Sequence, residues 1–104
     1  MGNARERPAR LAEKLLQIRL ALGLSQSEML WRVGMGETTY RHYISHFETG
    51  QREPPLKILL EYARAGGVHV EDLIDDEFDL PDKLPGTVRH EGIRRKTGAR
   101  SKKR

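Results

Sequence analysis

"SQSEMLWRVGMGETTYRHYISHFETG", Ser25 to Gly50, holds two helical signals separated by a connection of unusual length. Ser25 and Glu28 form a capping box: the Ser hydroxyl accepts from a backbone N–H one turn on, and the Glu carboxylate accepts from the N–H of Ser25. A helix is therefore expected from Gln26 to about Val33, where Gly34 stops it. The periodicity then resumes on two faces. Tyr40, Tyr43, Ile44 and Phe47 lie on one side of a second helix, and Thr38, Arg41, His42, Ser45 and His46 on the other. Gly50 ends it.

The flanks supply the rest of a helical body. Pro8 suits a first turn, where its missing N–H costs nothing. Leu11, Leu15, Ile18 and Leu22 follow at intervals of 4, 3 and 4, and Gly23 closes a helix over about 9–22. After the loop "QREPPLK", Pro55 opens a fourth helix with Leu56, Leu59, Leu60 and Ala63 as its expected buried stripe. Gly66 and Gly67 end that helix, and "VHVEDLI" reads as a short fifth. The fold expected is all-α, with five helices.

Length and composition bound the function. With 104 residues there is material for one small core. The absence of cysteine removes disulfides and thiolate metal sites. No apolar run reaches the roughly 18 residues of a membrane helix. "MGNARERPAR" lacks the apolar stretch of a secretory signal, so a cytoplasmic, nucleoid-associated location is expected.

Charge is segregated rather than merely positive. Residues 71–82 carry seven acids and no base, whereas residues 84–104 carry eight bases and one acid. Arg5, Arg7 and Arg10 form a further basic cluster. Such arms favour a nucleic-acid partner, although composition alone equally fits a solvated tail. The expected organisation is a domain over 8–75, an acidic, proline-containing linker over 76–85 and a disordered basic tail over 86–104.

A two-helix unit at positions two and three of five suggests a helix-turn-helix. The stretches "IRLALGLSQSEM" (18–29), "ISHFETGQREPP" (44–55) and "LLEYARAGGVHVEDLI" (59–74) resemble the Xre family, the Cro/lambda-repressor type of DNA-binding domain. The matching elements are Arg19, then Gly23-Leu24-Ser25-Gln26, then Glu48-Thr49-Gly50, then Pro54-Pro55. The resemblance implies a transcriptional regulator, usually a repressor, that acts on double-stranded DNA as a homodimer. It places helix 3 (about 38–48) in the major groove, with Arg41, His42, Ser45 and His46 as base readers. Arginine can donate two parallel hydrogen bonds to guanine, worth about 1–3 kcal/mol of discrimination; His and Ser make single bonds. Taken without the resemblance, the same side reads as a solvated helix face. Gln26, Ser27, Thr38, Thr39 and Arg52 are the expected phosphate contacts. Arg19 and Glu48 are implied to pair with each other and to be structural.

Two features depart from the family pattern. Four more residues than usual separate Gly34 from Glu48, close to one helical turn of 3.6. Either helix 3 gains a turn back to Thr38, which the face pattern favours, or "GMGE" forms a bulge ahead of a helix of ordinary length. Leu30 also stands where the family usually has Ala, followed by Trp31, which is expected to pack.

Other chemistries fit less well. His42 and His46 have the i, i+4 spacing of a zinc-protease helix, but Tyr43 occupies the position of its catalytic Glu and no third ligand is evident. The acids at 71–82 lack calcium-loop spacing. No nucleophile–base pair or phosphate-binding glycine loop suggests an enzyme, and no cofactor is implied. The rival reading is an antitoxin-like module in which "FDLPDKLPG", with Phe78, Leu80 and Leu84, docks on a toxin. That segment could equally fold back on the helices, bridge a dimer or run as an extended linker.

Overall fold

The computed structural model of the chain describes residues 6–37 and 41–86. In these it is all-α: α1 (Leu11–Leu22), α2 (Gln26–Arg32), α3 (Tyr43–Thr49), α4 (Leu56–Gly66) and α5 (Val70–Ile74). The central element is α1, which packs on α3, α4 and α5, while α2 packs on α3.

Burial follows the helical period. Leu11, Leu15 and Ile18 of α1, Met29 and Leu30 of α2, and Ile44 and Phe47 of α3 enter one core. Burying each fully contributes about 1.5–3 kcal/mol. The Ser25–Glu28 capping box forms in both directions, at 3.0 and 2.8 Å. At the other end of α2, Gly34 takes a left-handed conformation with φ 89°. Its N–H donates to the Trp31 carbonyl and the Met35 N–H to that of Leu30, so the last carbonyls of α2 are satisfied.

Helix 3 is shorter than the face pattern predicts. It begins at Tyr43, with Arg41 and His42 in a turn before it, so the helix does not run back through those two residues. Ile44 and Phe47 anchor the helix, whereas an added turn over Thr38–His42 would offer only Tyr40 to the core. A polar stripe has helical spacing without the burial that would hold it. Thr38, Thr39 and Tyr40 themselves lie outside the described residues. The connection is fixed earlier, at Gly36: a Cβ there would stand 2.0 Å from the Trp31 indole. Trp31 thus packs on the connection, with 58% of its surface still exposed.

The buried face of α4 is rotated from its expected stripe. Leu59 and Ala63 are buried as predicted, but Tyr62 joins them, while Leu60 is exposed and Leu56 is 81% exposed. Gly66 sets this rotation, because its absent Cβ would already lie 3.3 Å from Ile18. Small residues let α4 approach α1, and Leu56, at the helix entrance, lies beyond that contact.

The largest difference concerns residues 75–86. Expected as a linker or a docking segment, they form a strap along α1, with Leu80 and Leu84 in the shared core. Lys14 of α1 is buried, and its ammonium donates to the carbonyls of Asp72 and Asp75, both at 2.8 Å. Phe78 lies below it, 6.0 Å from the ammonium to the ring centroid. Arg10 pairs with Glu13 and Asp79, and Gln17 donates to the Pro81 carbonyl. The strap ends backbone to backbone: a Cβ on Gly86 would meet the Ala65 carbonyl oxygen at 2.3 Å. Two of the three apolar residues assigned to toxin docking are therefore inside this chain's own core. The basic tail from 87 onward lies outside the described residues.

Candidate nucleic-acid interface

Beyond the core contacts of Ile44 and Phe47, the polar bonds that tie α3 to α1 and α2 converge on Glu48. Arg19 grips its carboxylate with two parallel hydrogen bonds, from Nε at 2.6 Å and Nη2 at 3.1 Å. The third guanidinium nitrogen, Nη1, donates to the Leu24 carbonyl at 2.9 Å, just past the end of α1. Glu48 also accepts from Gln26 Nε2 at 3.1 Å. One carboxylate thus ties the C-terminal end of α3 to α1 and to the first residue of α2. Side-chain exposure is 14% for Arg19 and 5% for Glu48, so the pair sits in a medium where charge–charge attraction is strong. The carboxylate raises the Arg19 guanidinium above its ordinary value, chiefly through the hydrogen bond. Beside the pair, burial pushes the Tyr62 hydroxyl up, and that hydroxyl has no hydrogen-bond partner among the described residues.

The side of α3 away from the core is polar. Ser45 and His46 are half-buried on the helix, whereas Arg41 and His42 are exposed in the turn ahead of it. The i, i+4 spacing stacks the His42 and His46 rings, with centroids 6.4 Å apart. Of the four expected base readers the structure thus brings His42 and His46 into contact, with Ser45 on the same helix and Arg41 in the turn ahead of it. No group of three or more metal-ligating side chains occurs among the described residues.

The flanks are cationic or rich in N–H donors. Gln26 and Ser27 stand exposed in the first turn of α2. Arg52 lies beyond the end of α3: its N–H donates to the His46 carbonyl, and its guanidinium rests 5.3 Å from the Tyr43 ring centroid. Tyr43 in turn stacks on Phe47, so the Arg52 guanidinium rests on a ring that is itself packed against the core residue Phe47. Arg7 reaches the same place from the N-terminal arm, donating to the Gly50 carbonyl at 3.2 Å. Its basic cluster was visible in sequence, but not that Arg7 turns to α3 while Arg10 is neutralised by acids of α1 and the strap. Thr38 and Thr39, the remaining expected phosphate contacts, fall outside the described residues.

A short helix locked at its C-terminal end, with a polar outer side and arginines flanking it, is the anatomy of a helix-turn-helix module. The chain belongs to the helix-turn-helix family, of the Xre or Cro/lambda-repressor type, whose model matches residues 15–73. It is also similar to the cryptic phage CTXphi transcriptional repressor RstR of Vibrio cholerae, with 29% identity over 79 residues, covering 75% of this chain and 68% of that protein. No solved structure matches the chain. No helix among the described residues is long and apolar enough to cross a membrane.

Proposed function

We propose that the chain binds double-stranded DNA sequence-specifically as a homodimeric transcriptional repressor, reading the major groove with α3 and its entrance. The observation that carries this is the Arg19–Glu48–Gln26 clamp, which fixes α3 relative to the start of α2, and the proposed readers Arg41, His42, Ser45 and His46 stand on that helix and in the turn ahead of it. A reader must be held rigidly, because base-edge hydrogen bonds tolerate little misplacement. In this reading Arg41 addresses guanine, and His42, Ser45 and His46 each make one further contact. Gln26, Ser27, Arg52 and the Thr38–Thr39 pair meet phosphates and fix register without specifying sequence. Gln26 reaches the backbone with the part of its amide that Glu48 does not use.

The repressor direction is supported by the Vibrio cholerae relative. Pairing is supported by geometry, since a seven-residue α3 spans few base pairs and two half-sites multiply its selectivity. The basic residues from 87 to 104 add sequence-blind affinity, with a log–log salt slope of about −0.9 per phosphate neutralised.

The test is selection of bound duplexes from a random pool at physiological salt, which screens much of the sequence-blind attraction. An enriched inverted repeat is expected, and Arg41→Ala should relax preference at one position in each half-site. Binding at low salt without enrichment would refute sequence-specific recognition.

A further inference from the structure

Three large apolar side chains stay exposed along α4 and α5: Leu56 at 81%, Ile74 at 44% and Leu60 at 37%. Leu56 and Ile74 line an open groove of about 820 Å³ together with Leu59 and Val70. Leu60 stands one turn along α4 from Leu56 and carries the apolar stripe toward the C-terminal end of the helix. The groove is also acidic. Glu6, Glu53 and Asp76 line it against Arg7, whose guanidinium donates to the Gly50 carbonyl. Glu71 and Asp75 are exposed next to Val70 and Ile74, and Lys57 is exposed next to Leu56. Five acids against two bases therefore surround an apolar centre.

Such a surface accepts a basic segment that carries a large apolar side chain, whereas its own copy would set acid against acid. The second groove, between α1 and the strap, offers less, because Arg10 already pairs there with Glu13 and Asp79. The chain holds a segment of the required kind. Residues 87–96, "TVRHEGIRRK", carry Arg89, Arg94, Arg95 and Lys96 against Glu91, with Ile93 as their large apolar residue after Val88. They lie outside the described residues, but the strap brings their starting point to the end of α4, where Gly86 meets Ala65 and Gly66.

Reach agrees with charge. From Gly66 back to Leu56 is ten residues of helix, or about 15 Å. Ile93 stands seven residues past Gly86, a reach of up to about 23 Å. So short a tether holds the segment near the groove at an effective concentration on the order of millimolar, which fills even a weak site. We infer that residues 87–96 turn back along α4 and seat Ile93 between Leu56 and Ile74, with Arg94, Arg95 and Lys96 against the acids of the groove. The groove and DNA phosphates then compete for the same bases, so the docked segment restrains sequence-blind binding until a duplex draws it off. This second step rests on the phosphate-neutralising part given to the tail above; the docking does not.

Paramagnetic broadening in the full chain tests the docking without DNA. The sequence contains no cysteine, so Thr97→Cys carries a single nitroxide just past the docked segment. Amide signals of Leu56, Leu60, Val70 and Ile74 should broaden, and those of α2 should not. Ile93→Ser, which leaves the charge of the tail unchanged, should abolish most of the broadening. Leu56→Ser should do the same without unfolding the domain, since that side chain is already 81% exposed. No broadening at the groove, or broadening indifferent to both variants, overturns the inference. Isotope-labelled chain without nitroxide, mixed with unlabelled chain that carries it, should show no broadening; broadening there assigns the groove to the tail of another copy and overturns the intramolecular seat. A duplex of random sequence should then release the broadening, and Ile93→Ser should bind that duplex a few-fold more tightly than its parent. Broadening that persists on DNA, or equal affinity of the two proteins, overturns the competition and upholds the docking alone.

Discussion

Two regions are tied to α1 by its polar side chains, and they differ in how the bond is made. On the α3 side, Arg19 meets Glu48 side chain to side chain, with Gln26 as a third member. On the strap side, apart from the Arg10–Asp79 pair at its exposed edge, the bonds run to backbone: Lys14 and Gln17 meet carbonyls, and the Asp76 carboxylate meets N–H groups. The first bond requires particular residues at particular places. The second requires the strap's path, while the residues supplying its carbonyls are nearly arbitrary. The proposed recognition needs a helix whose position cannot drift, and the side-chain clamp is the bond suited to that. The strap instead completes the core, which a small domain with short helices cannot close on helix packing alone.

If the strap is part of the core, Leu84→Ala has the largest effect on stability. Leu84 is fully buried, and its truncation should cost about 2–5 kcal/mol in urea unfolding. A loss below about 1 kcal/mol would show a peripheral strap and collapse the comparison. Glu48→Ala comes next, at about 3 kcal/mol, the low end for a buried pair because Arg19 keeps some exposure to water. Its signature is different, however. With α3 released from α1 and α2, selectivity between DNA sequences should fall further than the folded fraction does. Leu84→Ala, measured where it remains folded, should leave selectivity intact. Equal losses of selectivity in both variants would mean that the clamp has no special part in holding α3.

The same contrast explains what could be read in advance. Arg19, Glu48 and the Ser25–Glu28 box stand at fixed spacings around glycine stops, so local chemistry and the family pattern located them before any packing was known. The start of α3 was misplaced because Thr38, Arg41, His42 and Ser45 share a helical period without a buried anchor. On α4, leucine identity outweighed fit: Leu56 and Leu60 drew the expected stripe, whereas Gly66 against Ile18 determines which side turns inward. The strap was hidden by its acids. Leu80 and Leu84 are four residues apart among Asp, Pro and Lys, a composition that resembles a linker. Its partner stripe, Arg10, Lys14 and Gln17 at intervals of 4 and 3, looks like any solvated helix face. A glycine pair carried a faint signal, since Gly67 and Gly86 admit the close approach of two backbones.

The smallest effect concerns the entrance of α1, where the strap acts through charge. Asp76 accepts from the N–H groups of Ala9 and Arg10 at 2.8 and 3.0 Å, which also sets an anion at the positive end of the helix. Those backbone bonds hold its carboxyl below the ordinary 3.8, with Lys14 and Arg10 adding attraction. A folded value below the unfolded one means that the unfolded chain binds the proton first as pH falls. The stabilisation is therefore essentially complete above about pH 5, begins to fall as the unfolded carboxyl takes up its proton, and disappears as pH drops through the lowered value. Asp76→Asn should lower the melting temperature modestly at neutral pH, and the gap to the wild type should close progressively below about pH 5. Melting curves of both proteins across that range check it. A gap that persists in acid would show that the side chain's shape, and not its charge, holds the strap to the start of α1.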